Sequence, residues 1–135
     1  MSETTIIRLP SSQKSVSKLE SFLQEIIRQH RVCEEKYSDI LVSLTEAVNN
    51  AIIHGNQNDE SKNVLVKCKT SSRGIHFSIV DEGKGFNPES IPDPTSIEKI
   101  ETCGGRGVFI INALADKVAV KSNGTSNTVK IYFKA

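Results

Sequence analysis

Apolar residues repeat along this chain with two different periods, and the change of period divides it into elements. Val16, Leu19, Phe22, Leu23, Ile26 and Ile27 recur at steps of three and four, which predicts a helix over about Ser12–His30. A second stripe runs from Tyr37 through Ile40, Leu44, Ala47, Val48 and Ala51 to Ile52. It predicts a helix over about Glu35–Gly55, with Gly55 as its stop. Period two takes over at Val64–Lys69 and Ile75–Ile79, and the turn-like Ser71–Gly74 between them predicts a hairpin. Thr4–Leu9 alternates weakly before Pro10 and reads as a first strand. Val108–Ala115 reads as a helix, and Val118–Lys121 with Val129–Phe133 as a closing hairpin across Asn123-Gly124. Between Phe86 and Cys103 stand Pro88, Pro92 and Pro94, so that stretch reads as a loop with one short helix at Thr95–Ile100. The order predicts an α+β two-layer sandwich, with a mostly antiparallel sheet and the helices on one face.

Composition narrows the classes. A chain of 135 residues suits one domain over 1–135. Charge is balanced, 17 basic against 16 acidic residues, and no basic run stands out. That argues against a direct nucleic-acid binder held by phosphate attraction. No apolar stretch is long enough to span a membrane and the N-terminus has no signal-peptide core, so a cytoplasmic protein is expected. Cys33, Cys68 and Cys103 are odd in number and widely spaced, which fits neither a disulfide framework nor a zinc site. His30 and His54 fall at helix ends, where interaction with the helix dipole explains them.

Three short blocks carry candidate chemistry. Glu46 and Asn50 lie one helical turn apart. The carboxylate could take a proton from a hydroxyl or water, and the carboxamide oxygen is a hard ligand suited to Mg²⁺. Asp81-Glu-Gly83-Lys-Gly85 follows an apolar strand. Its carboxylate could accept from an exocyclic base amine, and its glycines admit close backbone approach. Gly105-Arg106-Gly107 opens onto Val108 at a helix start, where free N–H groups attract phosphate and Arg106 adds charge. Each block has a plainer reading taken singly: an exposed polar helix pair, a turn after a strand, a glycine linker. Together they describe a pocket for a magnesium nucleotide. A P-loop and a dinucleotide fingerprint are both missing.

The order and spacing of these blocks resemble the ATP-binding domain shared by histidine kinases, DNA gyrase, heat-shock chaperones and MutL, the Bergerat fold. Glu46-x-x-x-Asn50 resembles its N box, Asp81-x-Gly83-x-Gly85 its G1 box and Gly105-x-Gly107 its G2 box. Glu46–Gly55 and Gly104–Asp116 look most like the bacterial anti-sigma-factor serine kinases. The resemblance implies ATP and Mg²⁺ as cofactors, with Glu46 as general base, Asn50 as metal ligand and Asp81 as adenine anchor. Gly83, Gly85, Gly105, Gly107, Val108 and Arg106 would meet the nucleotide, and residues 86–103 would form an ATP lid. The family's threonine entering the last strand corresponds best to Thr128.

What the resemblance implies about partners follows from the parts not seen. Sensor histidine kinases carry a phosphoacceptor helix pair ahead of this domain, and the gyrase-like proteins a transducer after it. A free-standing domain would find its acceptor on another protein. In the family that acceptor is an anti-sigma-factor antagonist, phosphorylated on serine or threonine, and the kinase alternately holds a sigma factor. A homodimer is also expected from the family. Two other functions share the same pocket: a nucleotide-dependent binding switch without phosphotransfer, and an ATPase serving another complex.

Overall fold

The computed structural model describes residues 3–31, 33–82, 111, 113–122 and 126–135. Strand β1 (Glu3–Pro10) leads into α1 (Ser15–His30), and a single 3₁₀ turn (Glu34–Lys36) opens α2 (Tyr37–Asn50). A π turn (Ala51–Gly55) extends α2 without a break. Strands β2 (Asn63–Ser71), β3 (Gly74–Asp81), β4 (Lys117–Ser122) and β5 (Asn127–Lys134) complete the described elements. The strand order is β1-β2-β3-β5-β4, and every pairing is antiparallel. Residues 111, 113 and 114 are helical, as the reading of Val108–Ala115 expects for those positions.

Burial follows the two periods. Leu19, Leu23 and Ile26 of α1 and Ile40, Leu44, Ala47 and Val48 of α2 are buried. They meet Val64, Val66 and Cys68 of β2, Ile75, Phe77 and Ile79 of β3, and Ile131 and Phe133 of β5 in one core. The inward residues of each strand alternate with outward, mostly polar ones, so among the described residues the helices lie on one face of the sheet and none covers the other. Each apolar side chain fully buried this way contributes about 1.5–3 kcal/mol.

Local chemistry sets the ends. Helix α1 stops where Arg31 turns left-handed at φ 52° and donates its N–H to Ile27 O at 2.8 Å. The β2–β3 hairpin turns through Gly74 at φ 150°, where a Cβ would run into the Phe133 carbonyl. Cys33, also left-handed at φ 60°, is buried and sends its thiol toward the Phe133 and Lys134 carbonyls. The helix and strand readings of the described segments hold to within about three residues at their ends. The loop and short helix read over 86–103 and the turn at Asn123-Gly124 lie outside the described residues.

Candidate functional site

Helix α2 carries the first block, and its backbone explains what faces what. Ala47, Val48, Ala51 and Ile52 are buried against the sheet, while Glu46 and Asn50 are half-buried at the flank of that stripe. Asp39 and His54, further along the same flank, are exposed. Glu46 and Asn50 therefore emerge where helix meets open space, rather than on the fully solvated side.

The last turn of this helix is widened. Asn56 N–H reaches back five residues to Ala51 O at 2.8 Å, and Asn58 N–H reaches Ile52 O at 2.8 Å. A π turn admits one extra residue and frequently marks a functional site. Here its consequence is concrete: Gly55 is set against Asp81, the last residue of β3. A Cβ at position 55 would collide with both carboxylate oxygens, the farther of them at 2.9 Å. Asn50 precedes Gly55 by five residues, about 7–8 Å along the helix axis. So Asp81 lies against the end of the helix whose preceding turns carry Glu46 and Asn50, a placement that sequence spacing alone does not dictate.

Asp81 is only 6% exposed, although it is a carboxylate. Burial of such a group requires hydrogen-bonded partners. Asn127 provides one, donating from Nδ2 to Asp81 Oδ1 at 3.0 Å, and is itself buried. The strand register brings these two together, since Asn127 lies opposite Asp81 in the β3–β5 ladder. Thr128 lies opposite Val80, one residue on. Alternation turns it toward the open face with Lys130 and Tyr132, away from Asp81. Asn127 is the residue that sequence reasoning missed. The signal was available in the parity of β5, because Val129, Ile131 and Phe133 are apolar and share Asn127's face.

Next to Asp81, Asn56 joins four segments. Its Nδ2 donates to Ser11 Oγ at 2.9 Å and to Asn63 O at 3.1 Å, and its Oδ1 accepts from Glu82 N–H at 2.8 Å. Ser11 Oγ in turn donates to Lys62 O at 2.7 Å. The ends of β1, the π turn, the start of β2 and the end of β3 are thus tied at one buried amide. Gly83, Gly85, Gly105, Arg106, Gly107 and Val108 lie outside the described residues.

Among the described residues no three His, Cys, Asp or Glu side chains gather to hold a metal by themselves. A divalent cation at Asn50 would need further oxygen ligands, which is the usual manner of Mg²⁺ with nucleotide phosphates. The adenine end fits as well. A buried carboxylate at a strand end, with no side chain at position 55 to cover it, offers the acceptor that an exocyclic amine requires. Of the described cysteines, burial pushes the Cys68 thiol up to about 12 and also raises that of Cys33.

This arrangement, an antiparallel sheet with two helices on one face and an acid at the end of a central strand, is an α+β sandwich of the Bergerat type. A family model described as the histidine kinase-like ATPase domain matches residues 9–133, and the chain belongs to that family. An anti-sigma F factor of Clostridium perfringens is 35% identical over 103 residues, covering 74% of this chain and 72% of that protein. The serine-protein kinase RsbW of Oceanobacillus iheyensis is 26% identical over 123 residues, 86% of this chain and 77% of its own length. Among solved structures, the RsbU and RsbW domains of a Mycobacterium tuberculosis protein superpose with a TM-score of 0.71 at 16% identity. That match covers 97% of this chain and 32% of the other. The SiaB–SiaC complex of Pseudomonas aeruginosa gives a TM-score of 0.67 at 12% identity, over 96% and 88% of the two chains. The homology supports a kinase or regulatory role. Among the described residues no helix is long and apolar enough to cross a membrane.

Proposed function

We propose that this chain is an ATP-dependent serine/threonine protein kinase that acts as an anti-sigma factor in the cytoplasm. It phosphorylates an anti-sigma-factor antagonist and alternately holds a sigma factor. The observation that supports the reading is the buried Asp81 carboxylate, packed against Gly55 at the end of the helix that carries the half-buried Glu46 and Asn50.

Bound ATP supplies the phosphoryl group, with Mg²⁺ neutralising its charge. Asp81 would accept from the adenine amine, with Asn127 fixing the carboxylate's orientation. Asn50 would hold the metal through its carboxamide oxygen. Glu46 would take the proton from the acceptor serine or threonine hydroxyl. Gly83, Gly85, Gly105, Gly107 and the Val108 N–H would let backbone approach the nucleotide, and Arg106 would pair with phosphate.

Three proteins test this: the parent, Glu46→Ala and Asp81→Asn, each incubated with labelled ATP and an anti-sigma-factor antagonist. Glu46→Ala should lower phosphotransfer by about 10²–10⁴-fold with ATP affinity little changed. Asp81→Asn should weaken nucleotide binding first. Parental phosphotransfer by Glu46→Ala would falsify its role as base. Phosphate release without a labelled protein would point to an ATPase instead.

A further inference from the structure

The helix-free face of the sheet carries a charge pattern that the nucleotide site does not use. Alternation and register together identify what points outward. One row across the sheet reads Lys69, His76, Tyr132, Lys117, and the next reads Ile6, Lys67, Ser78, Lys130, Ala119. A third runs Arg8, Leu65, Val80, Thr128, Lys121. These three rows carry six cations, all exposed. Among the described residues no Asp or Glu occupies an outward strand position.

Among the described residues, the two carboxylates that adjoin these strands in sequence are engaged elsewhere. Asp116 accepts from Lys134 N–H at 2.7 Å and pairs with Lys36 at 3.6 Å. Glu82, just past the end of β3, accepts from the Asn63 N–H. None of the six cations takes part in an ion pair among the described residues. With those six set aside from the 17 basic residues, eleven face 16 acidic ones over the rest of the chain. Near-neutral overall charge therefore conceals a cationic face.

The face is concave, with a groove of about 970 Å³ over β2, β3, β5 and β4. Beyond the groove, apolar positions stand among the cations of the same face: Ile6 is 57% exposed, and Leu65 and Val80 are half-buried. His76 and Tyr132 stack at 4.4 Å between ring centres. Lys69 and Lys117 flank the stack on its two outer sides. His76 and Tyr132 are the aromatic rings in these rows and each gives a face to the other, so the rows offer no run of stacking platforms of the kind single-strand binders use. Apolar positions interspersed with cations suit a protein instead, since lysine stems lie along apolar surface while their heads stay in water. A second copy laid face to face would oppose cation to cation.

We propose that the open face of the sheet docks an acidic amphipathic segment of a partner protein, on the layer opposite the nucleotide. Five strands give it a width of about 19 Å, and the rows repeat at about 7 Å, which suits an extended segment with carboxylates at alternate positions. The inference stands independently of the assigned phosphotransfer.

Two twelve-residue peptides test it, one with Glu interleaved with Leu and Thr, the other with Gln in place of Glu, alongside twelve-nucleotide oligothymidine. Amide shifts in ¹⁵N-labelled full chain and fluorescence anisotropy at 50 and 300 mM NaCl supply the readouts. The Glu peptide should shift amides of β1, β2, β4 and β5, bind more weakly in the higher salt, and lose about tenfold or more in affinity to Lys67→Glu/Lys130→Glu. The double variant should keep its far-UV circular dichroism and its binding of an ATP analogue, because both lysines are exposed on the other layer. Equal binding of the Gln peptide, tighter binding of oligothymidine, shifts confined to α1 and α2, or a dimer of the parent that the double variant breaks would each overturn the proposal.

Discussion

Gly55 shows how one missing methyl shapes the site. At an ordinary helix position, alanine in place of glycine gains about 1 kcal/mol. Here the added Cβ meets the Asp81 carboxylate, and overpacking of that kind costs about 1–3 kcal/mol. The clash outweighs the propensity, because Asp81 is held by Asn127 and cannot simply swing into water. Gly55→Ala should therefore lower stability in urea titration and weaken ATP-analogue binding by more than tenfold. A variant as stable as the parent with unchanged nucleotide affinity would show that the two residues are not tightly packed. Glycine at the end of the second stripe was legible as a helix stop. Its second use, leaving space beside an acid 26 positions later in the chain, was not, because the contact depends on the π turn and the sheet register together.

At the scale of elements, the clasp at Asn56 holds the site's geometry. Its amide joins the ends of β1, β2 and β3 to the end of the α2 helix, and fixes Glu82 immediately after Asp81. Asn56→Ala should destabilise the fold by about 1–3 kcal/mol, since it leaves backbone groups without their partner. It should also weaken nucleotide binding at temperatures where the protein remains fully folded. Equilibrium unfolding and calorimetric titration at 10 °C separate those effects, and intact affinity at 10 °C would confine Asn56 to stability. The helices and strands themselves were readable from period alone: the 3.6-residue stripes became α1 and α2, and the alternating runs became β2 and β3. Which residue of β5 reaches Asp81 was not readable in the same way. Thr128 and Asn127 are neighbours; parity puts Asn127 on the inner face, but only pairing with β3 sets it opposite Asp81.

Across the whole molecule, the two layers carry different electrostatics. His76 lies on the cationic sheet face, between Lys69 on β2 and Lys117 on β4, with Tyr132 of β5 against its ring. Burial first, and then those two lysines, hold its pKa below the usual 6.5. A histidine whose folded pKa is depressed contributes stability that is present above pH 6.5. That contribution is lost as pH falls from 6.5 through the lower folded value. The parent should therefore lose more Tm between pH 7.5 and 5.0 than His76→Gln does. Added salt should shrink only the part of that difference owed to the lysines. Identical acid losses in the two proteins would remove His76 from the account.

Some of this protein was written in the chain without any fold. The two periods, the Glu46/Asn50 spacing and the strand-ending acid at Asp81 depend on residues close in sequence, whose geometry local backbone rules determine. Three things required the tertiary structure: the seating of Gly55 on Asp81, the choice of Asn127 over its neighbour, and the gathering of six scattered cations on one face. Each depends on strand register, and register is decided by burying the apolar face of every strand at once against α1 and α2. No local segment carries that information.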